Sequence, residues 1–246
     1  MSIKKSVPNA LTCCNLFSGC ISIMFLISGM PVMAAVMIFV AGVFDFLDGF
    51  AARLLDAHSA IGADLDSLSD VVSFGVAPGF IMWHFMCLSL PNPVLPVGNI
   101  DLLPCIAFLL PVFSALRLAK FNVDTRQTVS FIGMPAPAMA IFVASLPLAF
   151  NQLGVLDESV LGLIPCILIV VILSFLMVCN ARFFSFKMHS VNWKGNEVRW
   201  IFIIIAVVAF AVFRFVALPF VMLLYVMMSL LPFGKSENTD DSQNQS

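Results

Sequence analysis

Four aspartates, Asp45, Asp48, Asp66 and Asp70, stand inside stretches that are otherwise apolar enough to be membrane helix. A carboxylate at membrane depth costs roughly 2.5–3.5 kcal/mol on insertion scales, so it persists chiefly where it binds something. Asp45 and Asp48 are three apart and Asp66 and Asp70 four apart, the separations that share a helix face. At 100° per residue, Asp45, Asp48, Gly49, Ala52 and Arg53 fall within about 140° of arc, and Gly62, Asp66, Asp70 and Ser73 within about 80°. The short connection LDAHSAI makes the two helices antiparallel neighbours, so both faces can point into one cavity. Four carboxylates crowded there repel unless cations neutralise them. One or two Mg²⁺ or Mn²⁺ ions would do so, and a metal pair would also bind a pyrophosphate. Gly49 and Ala52 lack bulk where a ligand must approach the backbone, and Arg53 can pair with phosphate or lock a carboxylate. Asp64 lies about 160° from Asp66 around the helix and is assigned a helix N-terminal role instead.

These residues need helices to carry them, and the composition supplies little else. Of 246 residues, 61% are hydrophobic and only 11% charged, with a mean hydropathy of +1.05. A soluble domain carries about a quarter charged residues, so the expected fold is all-α, a polytopic integral membrane helical bundle. Runs of about 20 apolar residues span a bilayer core. Eight are expected, near 9–29, 32–54, 64–88, 102–120, 134–151, 159–180, 199–214 and 216–232. They form one membrane-embedded domain over residues 1–232, and the polar tail 233–246 has no apolar surface to bury and is expected to be disordered. With the N-terminus in the cytoplasm, all of the 12 basic residues except Arg214 lie at the cytoplasmic side. The positive-inside rule then puts the acidic motif at the cytoplasmic face of the cytoplasmic membrane. Seven scattered cysteines show no metal-binding spacing and read as small reduced core residues. Asn9 and Thr12, beside Pro8, read as caps of the first span, and Asp56 and His58 fall in the loop between the acidic helices. A cation transporter is the competing class, but it predicts ionisable groups across the whole membrane depth, and here the acids cluster at one face.

The string D-x2-D-G-x2-A-R-x8-G-x3-D-x3-D, read on Asp45, Asp48, Gly49, Ala52, Arg53, Gly62, Asp66 and Asp70, resembles the signature of the CDP-alcohol phosphatidyltransferase family. That resemblance implies metal-dependent transfer of a phosphatidyl group from a CDP-linked lipid to an alcohol, with release of CMP. It implies that Asp45, Asp48 and Asp66 are ligands of a divalent metal pair, with Asp70 beside the metals as the base toward the incoming hydroxyl. Gly49, Ala52, Arg53 and Gly62 then form the nucleotide-binding surface. The segments LDSLSDVVSFGVAPG (65–79), ALRLAKFNV (115–123) and FIGMPAPAMA (131–140) are similar to those of the branch that accepts serine. CDP-diacylglycerol, L-serine and membrane lipids are thus the implied partners, with a homodimer as the implied assembly and no nucleic acid. Glycerol 3-phosphate or inositol phosphate is the alternative acceptor, and would call for a denser basic cluster. Serine needs a cationic partner for its carboxylate. Arg117 and Lys120, one turn apart at the end of the fourth span, are the candidates, with Ser73 on the acidic face and Arg126 in the following loop. Beyond about residue 150 the chain is merely apolar, and no residue there is assigned to the site.

Overall fold

In hydrocarbon a backbone must satisfy its own hydrogen bonds, so apolar runs punctuated by Gly and Pro become helices. A computed structural model of the chain describes residues 3–57, 60–90, 92–98, 100–123, 131–156, 161–183 and 197–230. Helix α1 (Ile3–Ile27) turns at Gly29, φ 75°, into α2 (Pro31–Leu54), where Pro31 opens the helix at a position whose N–H would be unpaired anyway. Helix α3 (Ala60–Val71) continues through a π-helical segment (Val72–Val76) into α4 (Ala77–Leu88). A small ribbon, β1 (Pro96–Val97) with β2 (Ile100–Asp101), precedes a 3-10 turn (Leu103–Phe108) and α5 (Leu109–Val123). Strand β3 (Phe131–Ile132) leads into α6 (Ala136–Leu153) and α7 (Leu163–Val178). It pairs antiparallel with β4 (Arg182–Phe183), Phe131 opposite Phe183. Helix α8 (Glu197–Phe213), a 3-10 turn (Arg214–Val216) and α9 (Ala217–Leu230) complete the described chain.

The bundle is all-α in its membrane part, as expected. By length and hydropathy six described segments can cross a membrane: 6–27, 31–54, 61–88, 103–123, 136–153 and 200–230. That count falls short of eight for two reasons. Helix α7 has only 16 residues, and Trp200–Leu230 registers as one apolar stretch. The chain nevertheless reverses within that stretch. The Phe202 and Tyr225 rings lie 6.3 Å apart, whereas a straight helix would separate them by about 35 Å at 1.5 Å per residue. Arg214 takes a left-handed φ of 53° at the reversal. Gln152 of α6 braces it, donating to the Phe213 carbonyl at 3.0 Å and accepting from the Phe215 amide at 2.8 Å.

Small residues let the helices approach, the usual solution where no hydrophobic force separates helix from lipid. Ala136, Ala140 and Ala144 form a fully buried stripe on α6, which sits at the centre of the bundle and is mostly buried, whereas little of the α8–α9 hairpin is buried. The hairpin is therefore peripheral. Ser22 of α1 donates to the Ala34 carbonyl of α2 at 2.7 Å. Ahead of α6, Gly133 (φ 82°) and Met134 donate their amides to Ala181 and Leu176 carbonyls at 2.9 and 2.8 Å. They satisfy the end of α7 as a cap would. A Cβ on Gly133 would strike the Met177 carbonyl oxygen, so the junction requires glycine. The cysteines are all free, but only Cys166 is buried; Cys13, Cys14 and Cys20 lie exposed on α1, on surface a bilayer would cover.

At the end of the bundle away from the acidic motif, the Asp101 carboxylate accepts hydrogen bonds from the Leu103, Val94 and Leu95 amides at 3.0, 2.7 and 3.0 Å. Those bonds, Leu103 foremost, hold its carboxyl below the usual carboxylate range. The tether is thus present at neutral pH and is lost as pH falls through that lowered value. Asp101→Ala is expected to abolish amide-exchange protection at Val94 and Leu95 at neutral pH, as acidification does in the parent chain. Equal protection in the two would show that the carboxylate does not hold the loop.

Candidate active site

Three of the four aspartates meet. Asp45 and Asp48 from α2 and Asp66 from α3 each place an oxygen within 4.8 Å of the others, a spacing that a hard cation with oxygen ligands can close. Asp48 is buried and accepts a short hydrogen bond from the Thr12 hydroxyl of α1, at 2.6 Å. Asp70, one turn beyond Asp66, is buried behind the triad. Asn15 Nδ2 donates to its Oδ1 at 3.3 Å, and the Asp70 and Asp45 side chains share a hydrogen bond. Two carboxylates approach that closely only with a proton or a cation between them. Both observations fit a divalent cation at this cluster.

Helix α1 fixes the second acidic helix. Ser69 donates to the Thr12 carbonyl and Ser73 to the Asn15 carbonyl, each at 2.9 Å. Gly19 permits this contact, since a Cβ there would lie 2.8 Å from Ser73 Cα. The π-helical segment begins two residues after Asp70 and resets the phase of the helix below the motif, a feature common near functional sites.

In front of the triad opens a cavity of about 930 Å³, lined among others by Asn9, Thr12, Asp45, Asp48, Gly49, Ala52, Arg53, Gly62, Asp66 and Phe121. Its volume is at the upper end of small-molecule sites, roughly 300–1,000 Å³. Nothing lies within 4 Å of where a Gly49 Cβ would stand, so protein packing does not explain that glycine; free space in front of it does. Arg53 is exposed on the cavity rim and donates Nε–H to the Gly49 carbonyl at 3.1 Å.

The structure thus gathers Gly49, Ala52, Arg53 and Gly62 with the triad and sets the other candidates apart. Ser73 is buried in the α1 interface and spends its proton on Asn15, so it does not face an acceptor. Arg117 is buried beyond Phe121, its guanidinium 5.9 Å from that ring. Lys120 is exposed and donates to Asn180 at 3.4 Å. Asp64 is exposed, outside the cavity lining. Asn9 and Thr12 cap nothing, because α1 starts at Ile3. His58, Arg126 and the tail lie outside the described residues. The residues missed from the sequence are Thr12, as the partner of Asp48, and Asn15. A signal existed: Thr12, Asn15, Ser18 and Ser22 recur every three or four residues in an apolar span, and all four are buried.

An acid-lined cavity at one end of an apolar helical bundle defines an integral membrane protein that carries a carboxylate cluster able to hold a divalent cation. The chain belongs to the CDP-alcohol phosphatidyltransferase family, whose model matches residues 5–173. It is 34% identical over 208 residues to the CDP-diacylglycerol–serine O-phosphatidyltransferase of Helicobacter pylori, covering 84% of this chain and 81% of that one. The Bacillus subtilis protein of the same name is 32% identical over 184 residues, 75% of this chain and 93% of its own. An archaetidylserine synthase of Methanothermobacter thermautotrophicus is 34% identical over 143 residues, 57% of each chain.

If the space before Gly49 belongs to the nucleotide, Gly49→Leu should leave the thermal midpoint at or above that of the parent, since a helix gains propensity on losing glycine. CMP binding, measured by calorimetry, should weaken by about tenfold or more. Unchanged CMP affinity would place the nucleotide elsewhere.

Proposed function

We propose that the chain transfers a phosphatidyl group from CDP-diacylglycerol to L-serine, giving phosphatidylserine and CMP. It does so at the cytoplasmic face of the cytoplasmic membrane, with two divalent ions, Mg²⁺ or Mn²⁺, and as a homodimer. The observation that carries this reading is the Asp45–Asp48–Asp66 triad beside a cavity that leaves Gly49 uncovered. The names of relatives matching most of the chain favour serine as the acceptor. The orientation rests on Arg53, Arg117 and Lys120 standing near the cavity end while Arg214 stands at the opposite reversal.

In this reading Asp45, Asp48 and Asp66 hold the cations, with Asp70 bordering them through Asp45. Bound there, the ions would neutralise the pyrophosphate and the charge gathering on CMP. Gly49, Ala52, Arg53 and Gly62 form the wall against which the nucleotide lies. The serine hydroxyl oxygen attacks the phosphorus that carries diacylglycerol. Asp70 takes the hydroxyl proton, the bond from that phosphorus to the bridging oxygen breaks, and CMP leaves with the electron pair. Asn15 holds the Asp70 carboxylate in place for that transfer. Arg117 supplies the cation for the serine carboxylate. It is a buried guanidinium whose Nε has no hydrogen-bond partner among the described residues, and burying such a donor costs free energy unless a ligand completes it. Lys120, engaged with Asn180 at the surface, is a rim residue in this scheme.

The test is CMP release by purified protein with CDP-diacylglycerol and Mg²⁺ or Mn²⁺ across a panel of acceptors. Serine should support release, and release supported only by glycerol 3-phosphate or inositol phosphate would refute the serine assignment. Metal flux into vesicles with no lipid product would revive a cation transporter. Asp70→Asn should lower kcat by about 10²–10⁴-fold, the range of general-base catalysis, while CDP-diacylglycerol still binds. Asp48→Asn should also weaken Mn²⁺ binding measured by electron paramagnetic resonance. Near-normal turnover in Asp70→Asn would remove Asp70 as the base.

A further inference from the structure

Three consecutive residues in the last turn of α5 each meet a different part of the protein. Lys120 Nζ donates to Asn180, just past α7, at 3.4 Å. Asn122 Nδ2 donates to the Ser67 hydroxyl of α3 at 2.9 Å, and that hydroxyl donates its own proton to the Ala63 carbonyl at 3.1 Å. Between these two ties stands Phe121, which lines the cavity together with Asp45, Asp48 and Asp66. Among the described residues it is the one lining residue that α5 contributes. The end of α5 is thus moored on two sides, and the mooring on α3 falls at the residue next to Asp66.

One turn back on the same helix, Arg117 sets its guanidinium carbon 5.9 Å from the centre of the Phe121 ring, within reach of a cation–π attraction. The arginine is buried, and its Nε has no hydrogen-bond partner among the described residues. A ring attracts the cation without taking up the N–H donors that a planar carboxylate would pair with. A guanidinium already held in one orientation also loses less rotamer freedom when a ligand binds. Phe121 therefore touches both halves of the site, the cavity assigned to the nucleotide and the cation assigned to the acceptor. We propose that Phe121 is a positioning residue for the acceptor: its ring, held in place by the Asn122–Ser67 bond, orients Arg117 toward the carboxylate of the incoming alcohol. The last turn of α5 in this way takes part in choosing the acceptor. This rests on the serine reading above.

The experiment is steady-state kinetics of full-length protein in mixed micelles, varying serine and CDP-diacylglycerol separately, with CMP binding measured by calorimetry. Phe121→Leu keeps an apolar side chain and removes the ring. It should raise the serine KM by about tenfold, with kcat, the CDP-diacylglycerol KM and CMP affinity within about twofold of the parent. Phe121→Tyr restores the ring face and should return the serine KM to within about twofold of the parent, which a residue that merely fills space would not do selectively. Asn122→Ala, which loosens the mooring, should shift the serine KM in the same direction by less. Arg117→Gln should raise the serine KM, and adding Phe121→Leu to it should raise it no further, since residues acting through one another are not additive. A serine KM within twofold of the parent in Phe121→Leu overturns the proposal. So does CMP affinity that falls as far as serine affinity, which would make the ring a nucleotide contact. Both results leave serine transfer intact. A parent chain that releases CMP with another acceptor and none with serine overturns the serine reading and the proposal with it.

Discussion

Three carboxylates within 4.8 Å of one another at the edge of an apolar bundle are the constraint on which the rest of the structure depends. Desolvation and mutual repulsion both oppose that arrangement. It stands because polar groups reach it from a third helix and because it opens to a cavity where cations and water-soluble ligands can enter. Thr12 donates to Asp48 and Asn15 to Asp70. The first helix is therefore the scaffold of the site.

Geometry then propagates outward from that contact. For α1 to supply its donors it must lie close to α3, which Gly19 and the hydroxyls of Ser69 and Ser73 allow. The π-helical segment after Asp70 lets one continuous rod present the acids at one end and bury Phe74, Ile81 and Met82 in the core below. Around this, α6 fills the centre with an alanine stripe, and its leading loop caps α7. The α7 cap positions β4, and β4 places Phe183 against Tyr225. A peripheral hairpin with little buried surface is in this way tied to the bundle through one buried ring.

Much of the site was legible because its logic is local. Asp45 with Asp48, and Asp66 with Asp70, share helix faces by periodicity alone, and a seven-residue connection forces the two helices to be neighbours. The lack of bulk at Gly49 needed only the residue type. What could not be read is whatever depends on contacts between distant segments. Ser73 has the right phase to face the cavity, yet the approach of α1 turns it into a packing residue. Asp70 shares a face with Asp66 but lies deeper, paired with Asn15 from 55 positions earlier. The count of spans was blurred for a related reason, since only ring contacts and the Arg214 backbone reveal the reversal inside Trp200–Leu230.

The sequence by itself determined the membrane class, the two acidic faces and the chemistry they allow, since composition and helical phase are properties of consecutive residues. Tertiary structure decided which carboxylates converge, which hydroxyl and amide hold them, and that the tyrosine of the last described helix packs its ring beside Phe183 and Phe202. Those outcomes depend on how closely helices pack, and that is set by small residues and a π-helical offset acting between segments far apart in the chain.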